Sequence, residues 1–233
     1  PIASLKVVDP ITGLKNKNNF NRNTELTKEL VARHPEWNMR VLSEGEASIV
    51  NRLVALYGDS FKSVMHNVAN IIVGGKGFPS MGTAIKHPDG RFTLVFNQRG
   101  FNDLKDRLPH TLGHETAHTL QESAVDTDNF KDGGKIAKLA RSVKGSLGDI
   151  LFYPLNTDKL KETYPNAGAA ELEMRFAREL HAQLFSIYYS PVNRPALQEG
   201  HKELYNEIDK HFKNTGIGRH GELLDRSGAA RSG

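Results

Sequence analysis

His114, Glu115 and His118 constrain the fold of this chain most, because they form the pattern His-Glu-x-x-His. On a helix, residues four apart lie one turn above each other on the same face, so the two imidazoles project together. Apolar residues recur at helical spacing around the pattern, at Leu108, Leu112, Ala117 and Leu120. The segment is therefore predicted to be a packed helix, which needs a physical reason to take two imidazoles and a carboxylate into a groove.

Binding of a metal ion supplies that reason. Two histidines on one helical turn can bind a single Zn²⁺ at about 2.0–2.1 Å each. Glu115 then points into the same cleft, where it can take a proton from a zinc-bound water, as in zinc-dependent hydrolases and most often peptidases. His110 repeats the four-residue spacing, but three turns span about 11–12 Å, so one tetrahedral ion cannot reach all three imidazoles. We expect His110 to lie in the wall of the pocket.

The composition predicts a folded soluble domain without a nucleic-acid partner and without a membrane span. Its 233 residues are 38% hydrophobic and 25% charged, which suits one large domain or a catalytic domain with short extensions. The net charge is +4, but lysines and arginines are scattered, so we expect no nucleic-acid partner. This mild positive charge favours acidic segments near a cleavage site. No run of about 18 apolar residues exists to form a membrane span.

The chain contains no cysteine. This excludes disulfides, thiolate zinc ligands and a cysteine nucleophile. A protein without disulfides suits the cytosol, and it equally suits a protein that is threaded unfolded through a secretion apparatus. Nothing in the sequence indicates an oligomeric state.

The order of predicted elements gives an α+β fold, mostly helical, with a small antiparallel hairpin beside the His-Glu-x-x-His helix. Apolar residues at helical spacing predict helices over residues 24–34, 43–73, 135–142, 169–189 and 194–212, with Gly58 as a candidate break in the second. Strands are predicted over residues 82–85 and 91–97, joined by a turn at His87–Gly90. Loops are predicted at Tyr153–Pro154 and at Tyr164–Gly168.

Three segments follow from this pattern. Residues 1–23 are rich in turn residues and are predicted to be a loop or tether. Residues 24–215 are predicted to form the catalytic domain. Residues 216–233 are predicted to be a flexible, glycine-rich tail.

The identity of the third zinc ligand separates the hydrolases that share this pattern. One class continues as His-x-x-Gly-x-x-His, but Gln121 and Ala124 occupy the last two of those positions. A second class uses an aspartate in a Gly-Thr-x-Asp-x-x-Tyr context, which the residues around Asp126 and Asp128 do not match. The deformylase arrangement needs a cysteine. The remaining class takes a glutamate from a later helix.

The predicted helix over residues 169–189 carries Glu171, Glu173 and Glu179. Glu179 begins the pattern Glu-x-x-Ala-x-x-Phe, which resembles the third-ligand helix of zincins of the gluzincin type. Over residues 91–212 the chain resembles the catalytic domain of anthrax lethal factor and secreted bacterial effector metalloproteases. The resemblance implies that Glu179 is the third ligand, with Glu171 and Glu173 as alternatives. In such proteins an alanine, here Ala182, lets the two ligand helices lie close together.

The same resemblance implies a zincin-like zinc endopeptidase in which strand Arg91–Asn97 is the edge strand above the zinc. A protein or peptide substrate would bind to that strand as an extended strand. A tyrosine often holds the developing oxyanion; in lethal-factor-like enzymes it lies seven residues before the glutamate, where this chain has Leu172. Tyr164 is the nearest upstream candidate. Other candidates are Tyr153, Tyr188 and Tyr189. The implied location is the cytosol of a target cell reached by secretion, and otherwise the cytoplasm.

Three competing interpretations remain. A non-catalytic, zinc-stabilised domain that binds a partner would fill all four metal positions with protein groups, and it would not need Glu115. A metal-free helical interaction module would bind no zinc. A zinc hydrolase of a non-peptide substrate would have a narrow, closed pocket in place of an open groove.

Overall fold

The computed structural model describes residues 24–104, 107–121 and 126–213. In this part of the chain the fold is mostly helical α+β with one four-stranded sheet, as predicted. The first helices and strands are α1 (Thr24–Arg33), β1 (Arg40–Val41), α2 (Glu44–Tyr57), α3 (Asp59–Val64), β2 (Val68–Gly74), β3 (Gly82–Lys86) and β4 (Phe92–Asn97). The helices that follow are α4 (Arg107–His118), α5 (Lys135–Arg141), α6 (Ser146–Leu155), α7 (Thr157–Thr163), α8 (Ala169–Tyr189), α9 (Arg194–Gly200) and α10 (Lys202–Phe212).

The sheet has the strand order β1-β2-β4-β3 and is mixed, whereas the sequence predicted a purely antiparallel hairpin sheet. β3 and β4 pair antiparallel, as expected, but β2 pairs parallel to β4. β4 therefore lies inside the sheet, so the prediction that strand Arg91–Asn97 is an edge strand is wrong. β3 is the edge strand on this side, and it is only partly buried, whereas every residue of β2 and β4 is buried.

The predicted helix over residues 43–73 is wrong in its second half. Ser43 caps the start of α2 through a capping box with Glu46, and Gly58, with φ +95°, follows its last residue. The apolar residues from Val68 onward form β2 and are buried on both faces. A strand buried on both faces shows no alternation of apolar and polar residues, so its pattern resembles that of a buried helix.

The C-terminal half contains two further differences. Tyr153–Pro154, predicted as a loop, lies within the last turn of α6. The predicted helix over residues 194–212 is divided into α9 and α10 at His201. By contrast, α8 has the predicted bounds, and it is buried almost continuously from Phe176 to its end. The predicted tether, the whole of the predicted tail and Ala124 lie outside the described residues. No helix in the described part of the chain could cross a membrane.

α4 and α8 form the central helix pair of the domain and run antiparallel. The Ser186 hydroxyl donates to the His110 carbonyl oxygen at 2.7 Å, and the Gln121 amide donates to the Arg178 carbonyl oxygen at 2.8 Å. The helices approach most closely at Gly113, where an added Cβ would lie 2.6–2.9 Å from Ser186 atoms, including its backbone Cα. At this contact the absence of a side chain permits the close approach of the two helices.

A methyl group at Gly113 should separate α4 from α8. We expect Gly113→Ala to lower the free energy of unfolding by about 1–3 kcal/mol, because backbone atoms of Ser186 cannot move aside cheaply. Gly45→Ala is the matched control, since a Cβ there meets only the Ser43 hydroxyl at 4.0 Å. Because alanine is the better helix former, Gly45→Ala should leave stability unchanged or raise it by up to about 1 kcal/mol. Urea unfolding measures both, and equal stability of the two variants would contradict the close packing.

Candidate metal centre

His114, His118 and Glu179 converge between α4 and α8. The two Nε2 atoms lie 3.0 Å apart, and the Glu179 carboxylate oxygens lie 3.3 Å from His114 Nε2 and 3.5 Å from His118 Nε2. One ligand atom from each side chain falls within 4.8 Å of the others, which is the spacing of a metal-binding group. The structure thus places the glutamate suggested by the family resemblance beside both histidines.

Each histidine is held on its other ring nitrogen by a glutamine. His114 Nδ1 lies 3.1 Å from Gln183 Oε1, and His118 Nδ1 lies 2.8 Å from Gln121 Oε1. Backbone carbonyl oxygens fix the orientation of both glutamine amides. Gln121 Nε2 donates to the Arg178 carbonyl oxygen at 2.8 Å, and Gln183 Nε2 donates to the Ile150 carbonyl oxygen at 3.3 Å. The glutamine oxygens must therefore accept from the histidine rings, which places a proton on each Nδ1.

The residues present fit a metal ion. With a proton on each Nδ1, both Nε2 atoms carry lone pairs that face each other and the Glu179 carboxylate. Three acceptors at this spacing repel one another unless a cation lies between them, either a proton on one imidazole or a metal ion. Two imidazole nitrogens and one carboxylate oxygen are a ligand set typical of catalytic zinc sites, which leave a fourth position open. Glutamine partners that orient the imidazoles are the outer-shell support such sites use.

Pro154 contributes to this arrangement from α6. Proline has no backbone N–H, so the carbonyl oxygen of Ile150, four residues earlier, lacks its usual helical partner. That oxygen accepts instead from Gln183 Nε2. The proline in the last turn of α6 therefore frees an acceptor that orients Gln183, and through it the His114 ring.

Glu115 is buried beside the histidines, with 6% of its surface exposed. Burial raises the pKa of its carboxyl to about 7; the nearby His118 lowers it and Glu179 raises it further. Its side chain packs against the β3 backbone, where an added Cβ on Gly82 would lie 3.0 Å from Glu115 Oε1. A carboxyl with a pKa close to neutral can accept and return a proton, as a general base requires. A metal cation nearby would lower this pKa.

The pKa of Glu179 moves in the opposite direction. Burial alone would raise it, but a hydrogen bond from the His114 ring and the charges of His114, His118 and Arg175 hold it below its ordinary value. Glu179 is thus a carboxylate at neutral pH, as a metal ligand must be. The pKa of Glu179 is thus lowered, as suits a metal ligand, whereas the pKa of Glu115 is raised, as suits a proton acceptor.

The site opens into a cleft of about 1000 Å³. Residues of β3, α4 and α8 line this cleft, together with Tyr153 of α6 and Tyr164. Its lining comprises Ser80, Met81, Gly82, Thr83, Ala84, Phe92, Arg107, His110, Thr111, His114, Glu115, His118, Gln121, Tyr153, Tyr164, Met174, Arg175, Arg178, Glu179 and Gln183. Gly82, Thr83 and Ala84 of β3 thus line the same cleft as the three candidate ligands.

Tyr164 lines this cleft, with the Arg175 guanidinium stacked 3.8 Å from its ring centre. Burial and the Glu179 charge raise the pKa of its phenol, so the hydroxyl stays protonated and can donate a hydrogen bond. Tyr153 also lines the cleft. The other candidates do not: Tyr188 donates to Asp209 and Tyr189 to the Phe212 carbonyl oxygen, both beside α10.

The alternative ligands lie apart from the metal group. Glu171 is exposed and pairs with Arg175, and Glu173 is exposed at 4.0 Å from Lys131. Asp128 pairs with the same lysine at 3.3 Å. His110 lies in the cleft wall, as expected from its spacing, and contacts Gln183 and Ser186.

Sequence reasoning missed the roles of Gln121 and Gln183. One signal was available: Gln183 lies four residues after Glu179, so both project from the same face of α8. Gln121 was noticed only as the residue that excludes a different ligand pattern.

Comparison with known proteins gives no relative: no family model, no curated protein and no solved structure matches the chain.

Removing either glutamine should weaken metal binding. We expect Gln121→Leu and Gln183→Leu each to lower zinc affinity about 10- to 100-fold, because the imidazole loses the partner that fixes its orientation and tautomer. Gln198→Leu, on an exposed position of α9, is the matched control and should bind as the wild type does. Competition with a chromophoric chelator measures the affinities. Wild-type affinity in both cleft variants would refute the orienting role.

Proposed function

We propose that this chain is a zinc-dependent endopeptidase of the gluzincin type. The observation that carries the proposal is the convergence of His114, His118 and Glu179 next to the buried Glu115. A site that only stabilised the fold would have no use for a buried carboxyl with a pKa near neutral beside the ligands.

In this proposal His114, His118 and Glu179 hold the zinc ion. Bound zinc would supply Lewis acidity at the scissile carbonyl and at the attacking water. Glu115 takes the proton of that water and later delivers it to the leaving amine, so one carboxyl serves as base and then as acid. Its burial against β3 keeps it at a fixed place and limits competition from solvent.

β3 is the proposed platform for the substrate. It is the outer strand on its side of the sheet, with β4 as its partner on the inner side. An extended peptide can add to such an edge by main-chain hydrogen bonds, which bind the backbone without demanding one sequence. We therefore propose that a substrate strand adds to Gly82–Lys86 and not to Arg91–Asn97. The backbone of Gly82–Lys86 packs against Glu115.

Tyr164 is the proposed donor to the developing oxyanion. It reaches the cleft from the segment before α8, which differs from the position seven residues before Glu179 where Leu172 stands. Its protonated hydroxyl can donate, and stacking of Arg175 on its ring restrains the side chain and adds positive charge near the carbonyl oxygen.

The resemblance of residues 91–212 to secreted bacterial effector metalloproteases supports a further proposal. The chain would be a secreted bacterial effector or toxin domain, with a protein of a target cell as its substrate. The open cleft favours a peptide over a small non-peptide substrate, which would suit a closed pocket. A purely structural zinc site is disfavoured because three protein groups, and not four, converge on the candidate metal position in the described part of the chain.

Zinc content tests the ligand set. After reconstitution and desalting, elemental analysis should find one zinc per chain in the wild type. Glu179→Ala and His118→Ala should each lose most of it, because each removes one of three protein ligands. Glu173→Ala is the matched control on the exposed face of α8 and should retain its zinc. Retention of zinc by Glu179→Ala would exclude that residue as the third ligand.

The role of Glu115 is tested by Glu115→Gln, which keeps the shape of the side chain and removes the base. We expect zinc content to match the wild type while turnover falls about 10²–10⁴-fold. The assay is digestion of a proteome-derived peptide library with mass-spectrometric counting of new termini. Cleavage by Glu115→Gln at the wild-type rate would rule out the proposed mechanism.

A further inference from the structure

The cleft is lined by positively charged side chains that have no role in the proposed reaction. Its lining contains two carboxylates, Glu115 and Glu179, and three guanidinium groups, Arg107, Arg175 and Arg178. Both carboxylates already have roles, one as proton acceptor and one as ligand. The charges that remain for contact with a substrate side chain are therefore all positive in the described lining.

The antiparallel packing of α4 and α8 fixes where these cations lie. Arg107 is the first residue of α4, whereas the Arg178 backbone carbonyl is held by Gln121 just beyond the last residue of that helix. Arg178 also directly precedes Glu179. The cleft thus has one cation at the end where α4 begins and two at the end where α4 finishes, with the candidate metal centre between them.

Two of the three arginines already have partners. Arg175 binds Glu171 at 2.8 Å and stacks on Tyr164, and Arg107 lies 3.6 Å from Asp103. The Arg178 side chain forms no ion pair with any residue in the described part of the chain. It is half-buried, lines the cleft and directly precedes Glu179, so its charge is available to a group that binds there.

We propose that this cleft selects peptides with an acidic side chain close to the scissile bond, and that Arg178 determines the selection. This inference rests on the proposed peptidase function. A guanidinium binds a carboxylate through two parallel hydrogen bonds, which no neutral side chain can match. The same charge repels lysine and arginine, so it both attracts one class of substrate and rejects another.

The expected position follows from the spacing of an extended chain. Each residue of a bound strand advances about 3.3 Å, and Arg178 adjoins a metal ligand, so the acidic residue should lie within about three residues of the cleaved bond. It should lie on one side of that bond only, because Arg178 belongs to one end of the cleft.

Digestion of a proteome-derived peptide library by the zinc-loaded protein tests the proposal through the sequences at the cleavage sites. The wild type should show enrichment of Asp and Glu at one such position. Arg178→Ser should lower this enrichment about five- to tenfold, and Arg178→Glu should replace it by enrichment of Lys and Arg. Arg99→Ser, an exposed arginine outside the cleft, is the matched control and should leave the profile unchanged.

The outcomes separate this inference from the function it depends on. Cleavage without acidic enrichment, or an enrichment that survives in Arg178→Glu, overturns the selection by Arg178 and leaves the peptidase function standing. No cleavage of any peptide by the zinc-loaded wild type overturns both. Zinc content and circular dichroism of each variant identify a loss of folding. Arg178→Lys should retain part of the acidic preference, because it keeps the charge without the bidentate geometry.

Discussion

The arrangement of the candidate site depends on the close contact between α4 and α8. At Gly113 the two backbones approach so closely that a methyl group would clash with Ser186. From there the helices run antiparallel, and polar contacts join them at intervals of about one turn, ending at Gln121 and Arg178. A shift of one helix by a single turn, about 5.4 Å, would bring Gln183 to the place of Glu179. The register of this pair therefore determines which residues meet as candidate ligands.

Polar groups buried between two helices cost free energy unless each finds a partner, and here the partners are supplied by several elements. The Gln183 amide, for example, is satisfied by a carbonyl oxygen of α6 that is free only because Pro154 lacks an N–H. Such a network contributes less to net stability than to selection of one packing, because any other register leaves several groups unsatisfied. The residues around the candidate ligands thus hold the geometry in place without contacting a metal.

The sequence was sufficient to predict the parts of the site that follow helical periodicity. The bounds of α8 and the helical placement of His114 and His118 depend on spacing within one segment. The prediction that Glu179 is the third ligand depends, in addition, on a resemblance to a known family. The sequence does not reveal β2, because a strand buried on both faces lacks the alternation of apolar and polar residues. Without β2, the strand over residues 91–97 is predicted to lie at the edge of the sheet, whereas it lies inside. The contact of Gln183 with His114 spans 69 residues of sequence, which no local pattern encodes. Gln121 lies only three residues after His118, but the Arg178 carbonyl that orients its amide is 57 residues away.

Glu115 and Glu179 lie close to the same histidines, but the pKa values of their carboxyls are shifted in opposite directions. Both are largely buried, which by itself raises the pKa of a carboxyl, but the charges of His114, His118 and Arg175 lower that of Glu179 while Glu115 stays near 7. A divalent cation between the imidazoles would take the place of any proton on their Nε2 atoms and carry a larger charge, so it would lower the pKa of Glu115 as well. With a pKa of about 7, Glu115 is only partly ionised at neutral pH without a metal, and a loaded centre would shift it toward full ionisation. Metal binding would therefore also prepare Glu115 to accept a proton, because the charge of the bound metal lowers the pKa of this carboxyl.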